Sequence, residues 1–255
     1  MDRLRRGLAD DRAVLTAWIG TPGPAWVAMI APMFDAVTID MQHGMWGEGD
    51  ALMAVGAVAA SGKPAILRIP VGRFDLASRA LDGGAHAIIA PMINSVEDAR
   101  AFAAACKYPP VGERSYGPTV AVRSLRLAGP DQYVPHSNAQ TMAIAMIETR
   151  QAFEAVDDIL AVDGIDGVFM GPADFSVSLQ GGGMPDPFGE GTRDMIAELA
   201  KRTRAAGKLA AAFAVTPQMA NDAYAMGYRL IATGLDAHYV ARGVKDIMSG
   251  LDFRG

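Results

Sequence analysis

The chain of 255 residues has a single cysteine, Cys106, and that scarcity closes two routes at once. A disulfide framework needs paired cysteines and a thiolate zinc site needs several, so neither can hold this fold together. Cys106 lies among alanines in a helical stretch and reads as a plain buried thiol. Long hydrophobic runs are also missing: the most apolar stretches, such as 57–60 and 209–215, are far too short to span a bilayer. The N-terminal Asp2-Arg3-Leu4-Arg5-Arg6 is charged and has no signal-peptide core. A cytoplasmic location with no membrane partner is the expectation. Neither sign of charge dominates: 23 Lys and Arg stand against 28 Asp and Glu, a net of −5, with no basic stripe. That argues against nucleic acid as a partner.

What is present is apolar material, 51% of residues, together with 28 glycines, enough to bury a large core. Short β-rich runs alternate with longer helical ones, the pattern of a parallel α/β architecture. Strands are predicted at Leu15–Ile19, Ala36–Met41, Ala65–Ile69, Ala87–Ala90, Met142–Ile147, Gly167–Met170, Ala210–Phe213 and Leu230–Thr233. Helices are predicted at Gly47–Ser61, Phe74–Asp82, Val96–Cys106, Arg150–Leu160, Thr192–Ala206, Pro217–Met226 and Ala237–Met248. Several of them end on glycine (Gly62, Gly83, Gly164, Gly207, Gly227), the usual stop signal. Eight units of about 30 residues make one (β/α)8 TIM barrel and leave no room for a second domain in 1–255. An open doubly wound sheet is the competitor, but the first strand runs into Gly20-Thr21-Pro22-Gly23-Pro24, which does not match a dinucleotide loop. The connections 107–140 and 175–191 are too long for turns, and both are expected on the catalytic face.

Chemistry in such a barrel sits where strands run out. Strand two ends in Asp40-Met41-Gln42-His43, strand three in Arg68, strand five in Glu148 and strand six in Gly171-Pro172-Ala173-Asp174. Glu148 and Asp174 come from adjacent strands, and two carboxylates without histidine or cysteine favour a hard cation, Mg²⁺ or Mn²⁺. The competing reading makes Glu148 a helix-dipole acid and Asp174 an N-cap. Arg68 is either a fork for a substrate carboxylate or oxyanion, or an ion-pair partner of Asp40. His43 directly follows a strand and could act as a general base, its tautomer set by Asp82 or Asp40. Imine chemistry is disfavoured, since Lys63 and Lys208 precede strands and Lys107, Lys201 and Lys245 fall on or after helices.

These segments, Asp40-Met41-Gln42-His43-Gly44, Tyr108-Pro109-Pro110-Val111-Gly112-Glu113-Arg114, Ile147-Glu148-Thr149-Arg150 and Gly164 through Ser176, resemble the HpcH/HpaI family of metal-dependent pyruvate aldolases, over nearly the whole chain. The resemblance implies a phosphoenolpyruvate/pyruvate-type barrel in which Glu148 and Asp174 bind Mg²⁺ or Mn²⁺, with Co²⁺ as a further option and no organic cofactor. A 2-oxo acid would chelate that ion, Arg68 would stabilise the enolate, and His43 oriented by Asp82 would move protons. Amides of Gly171, Pro172, Ala173 and Asp174 would hold the substrate carboxylate. It also implies a homo-oligomer, a hexamer with an exchanged C-terminal helix. Two residues depart from the family pattern: Gln42 replaces a common Glu, and Met146 replaces a common Gln, making the pocket more apolar. Trp18 and Trp46 are candidates for the aldehyde pocket. A 2-oxo-dicarboxylate decarboxylase and an anion-binding barrel without turnover are the alternatives.

Overall fold

The computed structural model describes residues 4, 9–118, 120–124 and 127–251, so the charged N-terminal segment, Leu4 apart, lies outside the described residues. Eight parallel strands close into a barrel in chain order: β1 (Val14–Ile19), β2 (Ala36–Asp40), β3 (Ala65–Arg68), β4 (Ala87–Ala90), β5 (Met142–Ile147), β6 (Gly167–Met170), β7 (Leu209–Ala214) and β8 (Leu230–Thr233). The seam is the β1–β8 pairing, with Val14 opposite Leu230 and Thr16 opposite Ala232.

Alternation along each strand divides the apolar residues into two cores. Val14, Trp18, Ala36, Ile66, Ile89, Ile144, Met146, Phe169, Ala211 and Leu230 fill the barrel interior, with Leu4 in the same cluster. Their neighbours Val37, Ile39, Leu67, Ile88, Ala145, Ile147, Val168, Met170, Ala212 and Ile231 face the helices. The same parity turns Asp40, Arg68 and, one residue beyond β5, Glu148 to the inside.

The helices are α1 (Pro24–Ile30), α2 (Glu48–Ala60), α3 (Phe74–Asp82), α4 (Val96–Cys106), α5 (Ala121–Ser124), α6 (Tyr133–Gln140), α7 (Arg150–Glu154), α8 (Val156–Ala161), α9 (Pro172–Gln180), α10 (Glu190–Ala205), α11 (Pro217–Met226) and α12 (Asp236–Ser249). The predicted helix Arg150–Leu160 is divided at Ala155, whose ψ of 2° leaves the α region. Four helices were not foreseen: α5 and α6, within the connection 107–140, and α1 and α9, which begin on Pro24 and Pro172, where a first-turn proline needs no N–H acceptor. Cys106 is the last residue of α4, and burial pushes its thiol up to about 12.

One expectation is corrected. The connection 107–140 does not belong to the catalytic face. It leaves the C-terminus of α4 and enters the N-terminal end of β5, so it lies at the opposite end of the barrel and carries α5 and α6. There Arg114 is buried between aromatic rings, donating to Tyr133 Oη at 2.8 Å and to Asp82 Oδ1 at 2.5 Å. The rule that long loops are functional does not say which end of a barrel they occupy; the preceding element does.

The last helix is the other departure from a closed ring. Asp236 anchors its start, accepting from the N–H groups of Gly20 and Thr21 and from Trp26 Nε1. Beyond it Val240, Val244 and Ile247 are exposed. A groove of about 380 Å³ stays open on the barrel flank, lined by Leu15, Pro217, Tyr224, Ile231 and Tyr239 among others.

Candidate active site

A cavity of about 190 Å³ opens at the C-terminal ends of the strands, lined by Trp18, Asp40, His43, Arg68, Met146, Phe169, Gly171, Pro172, Ala173, Asp174, Phe213 and Leu235. Nine of these lining residues were proposed from sequence, and a tenth, Glu148, lies directly behind Gly171. No lysine lines it, in keeping with the argument against imine chemistry.

Asp40 and Arg68 sit opposite one another in the β2–β3 register and form a buried, bidentate pair: Arg68 Nε donates to Oδ1 at 2.8 Å and Nη2 to Oδ2 at 2.6 Å. Asp40 also accepts from Trp18 Nε1 at 3.2 Å and from the backbone N–H groups of Gln42 and His43 at 3.0 and 3.3 Å. Burial alone would raise this carboxyl, but the bonds and charge of Arg68 outweigh it and hold it below the usual carboxylate range. Asp40, taken from sequence as catalytic, is therefore a clamp: its oxygens are occupied and it stays ionised. Trp18, expected to shape an aldehyde pocket, lies fully buried with its ring 4.8 Å from the Arg68 guanidinium, packed on Phe169 and Phe213. Gly44 lets the His43 loop lie against β1, since a Cβ there would fall 2.9 Å from Gly20 backbone atoms and closer still to the Asp40 carbonyl.

Glu148 is buried. Its Oε1 accepts the Met92 N–H at 2.8 Å, presented by a left-handed backbone at Met92 (φ 54°). Its Oε2 is buried with no hydrogen-bond donor. Desolvation raises the carboxyl to about 7, and the negative charge of Asp174 adds to the rise, while the Met92 N–H and Arg68 oppose it. The helix-dipole reading of Glu148 does not hold, because Thr149 caps α7 by accepting from Ala152 N–H and Glu148 turns inward instead. Nor is Asp174 an N-cap: it is the third residue of α9, exposed at the rim of the cavity. An acid oxygen buried without a donor, beside a second carboxylate, is what a hard divalent cation relieves. Glu148 and Asp174 fit such an ion; no cluster of three or more His, Cys, Asp or Glu exists among the described residues, so water or ligand oxygens would complete the shell.

Four expectations change. Asp82 does not reach His43 within this chain: it ends α3 at the far end of the barrel and pairs with Arg114. Only two of the four α9 amides can bind a carboxylate, because the Gly171 N–H bonds to the Ile147 carbonyl at 3.3 Å and Pro172 has none. Ala173 and Asp174 remain. Gln42 lies beside the cavity rather than in its lining, with Oε1 buried and unpartnered. Trp46 is packed away, its indole N–H on the Ile19 carbonyl. Sequence reasoning missed Phe169, Phe213 and Leu235 as lining residues, although strand parity with Gly171 and Ala211 marks the first two as inward.

Fold and site together define a class of protein: a (β/α)8 barrel whose mouth sets two carboxylates, Glu148 and Asp174, beside a buried arginine. The HpcH/HpaI aldolase/citrate lyase model matches residues 21–243, and the chain belongs to this family. It is a class II aldolase, a carbon–carbon lyase of a divalent-metal-dependent kind. It is 35% identical over 235 residues to a 2-keto-3-deoxy-L-rhamnonate aldolase of Klebsiella pneumoniae, covering 91% of this chain and 86% of that one. It is 32% identical over 250 residues to a hydroxypyruvate/pyruvate aldolase of Rhizorhabdus wittichii, covering 98% of each. The crystal structure of a family protein from Burkholderia cenocepacia superposes with a TM-score of 0.85 at 26% identity, covering 98% of both chains.

Proposed function

We propose that this aldolase reversibly cleaves a 4-hydroxy-2-oxo acid to an aldehyde and pyruvate or a related 2-oxo acid, using Mg²⁺ or Mn²⁺ held by Glu148 and Asp174. The observation that carries the reading is the buried, donor-less Oε2 of Glu148 at the edge of a cavity that also holds the Arg68 guanidinium. The names of the two curated relatives point to the same chemistry. When bound, the cation supplies Lewis-acid stabilisation of charge on the keto oxygen. The chain's own residues do the rest. The amides of Ala173 and Asp174, at the start of α9, orient the substrate carboxylate. Arg68, held by Asp40 and Trp18, directs Nη1 to the keto oxygen as it gains charge. His43, at the mouth, takes the proton of the 4-hydroxyl; the C3–C4 bond breaks, its electron pair becomes the C2–C3 double bond of the enolate, and the aldehyde departs. Return of a proton to C3 gives the 2-oxo acid.

The exposed stripe Val240, Val244 and Ile247 and the open flank groove support a homo-oligomer with an exchanged α12, as a hexamer would have. In such an assembly Asp82 could meet His43 only from a neighbouring copy.

The test is deuterium exchange into the methyl group of pyruvate, followed by proton NMR with Mg²⁺ or Mn²⁺ and again with EDTA. Exchange that needs the metal and disappears in Glu148→Ala supports the reading. Absence of exchange with either metal overturns it.

A further inference from the structure

The pocket around Arg68 carries information on which 2-oxo acid it takes, an inference that rests on the aldolase reading and deepens it. Two of the three guanidinium nitrogens are bound to Asp40. The third, Nη1, has the Met146 sulfur at 4.0 Å, a weak acceptor at long range. Met146 is buried, and a Cβ built on Gly171 would lie 2.6 Å from both Met146 Cε and Glu148 Oε2. The thioether methyl and the bare carboxylate oxygen are thus neighbours across Gly171. Met146 stands between the nitrogen directed to the keto oxygen and the carboxylate of the cation site. Around it the wall is Trp18, Phe169, Phe213 and Leu235, and the polar hydrogen this wall contains, on Trp18 Nε1, is taken by Asp40.

We propose that Met146 makes this a pocket for 2-oxo acids whose C3 carries only hydrogen or alkyl groups, such as pyruvate and 2-oxobutyrate, and that it disfavours a 3-hydroxyl, as in hydroxypyruvate. A hydroxyl entering the deep part of the cavity gives up water and meets a thioether, aromatic faces and a leucine in return. A glutamine at 146 would offer an amide oxygen to Arg68 Nη1 and an N–H donor in the same wall.

The experiment measures metal-dependent deuterium exchange at C3 of pyruvate, 2-oxobutyrate and hydroxypyruvate, above the protein-free rate, for the wild type, Met146→Gln and Met146→Leu. The wild type is expected to prefer the two alkyl donors over hydroxypyruvate by about tenfold or more in kcat/KM, the scale on which a pocket discriminates one small polar group. M146Q narrows that ratio by about fivefold or more, and M146L keeps it, because the side chain stays apolar. Wild-type protein that exchanges hydroxypyruvate as fast as pyruvate overturns the inference. So does M146Q that still exchanges pyruvate with the wild-type ratio, or M146L that loses the preference. Should M146Q fail to fold, the wild-type and M146L ratios decide alone. Failure of the aldolase reading looks different: no donor exchanges at all in the wild type.

Discussion

Glu148 sets up a measurable conflict between stability and function. Its carboxyl moves from an ordinary 4.5 to about 7 on folding, chiefly because burial leaves Oε2 without a donor. The folded state therefore binds the proton more tightly than the unfolded chain. By linkage, the stabilisation from this proton is fully present below about pH 4.5, declines through the window up to about 7, and is gone above it. At ~1.4 kcal/mol per pKa unit the ceiling is about 3 kcal/mol, and about 1–3 kcal/mol is the expected range once relaxation is allowed for. The perturbation is Glu148→Gln, which keeps the size and the acceptor for the Met92 N–H but removes the titration. The amide has its own cost, so the quantity to compare is the change in unfolding free energy between pH 5 and pH 8, not the absolute stability. Urea unfolding in EDTA at fixed protein concentration measures it. Wild type is expected to lose about 1–3 kcal/mol more than the variant over that range. Mn²⁺ in excess should restore the wild type at pH 8 and leave E148Q unchanged, since the ion binds only the folded carboxylate site. Identical pH dependence in the two proteins would refute the assignment of Glu148 as a buried, proton-linked ligand.

Asp40→Ala leaves the Arg68 guanidinium buried without its partner and should destabilise by about 3–5 kcal/mol in thermal or urea unfolding, with exchange activity lost at the same time. Trp18→Phe removes the indole donor to Asp40 while keeping an aromatic ring over Arg68; a drop of about tenfold in exchange rate with little change in Tm is expected. Gly171→Ala places a methyl group 2.6 Å from Glu148 Oε2 and Met146 Cε, so Mn²⁺ affinity measured by calorimetry should fall while the far end of the barrel, followed by hydrogen exchange at Arg114 and Tyr133, stays unchanged. If α12 is exchanged between copies as proposed, Val244→Glu with Ile247→Glu lowers the mass seen by light scattering; a wild type that is already monomeric, or an unchanged mass in the variant, would overturn that role of the stripe.

Much of the molecule could be read from residue order alone. The count of strand–helix units, the closed barrel and the gathering of Arg68, His43, Glu148 and Asp174 at one mouth follow from local patterns. Strand alternation has a period of two, helices stop at glycine, and a parallel barrel puts every strand's C-terminal end on one face. Those rules act over a few residues and need no coordinates. What they could not supply were pairings across the barrel. The Asp40–Arg68 pair was one of two readings open for Arg68; that it forms, and that Asp40 also accepts from Trp18 and two backbone amides, depends on β1, β2 and β3 lying side by side. The raised Glu148 carboxyl depends on which side chains shut water from Oε2, and the Met146–Arg68 contact on β5 facing β3 across the barrel. The connection 107–140 was placed at the wrong end, and Asp82 was paired with a His43 it does not reach within the chain, because sequence order says nothing about polarity along a helix; α3 and α4 carry both away from the mouth. Local periodicity decided the fold and which residues could do chemistry, whereas burial and partner choice, which are properties of packed neighbours distant in sequence, decided what each of those residues is free to do.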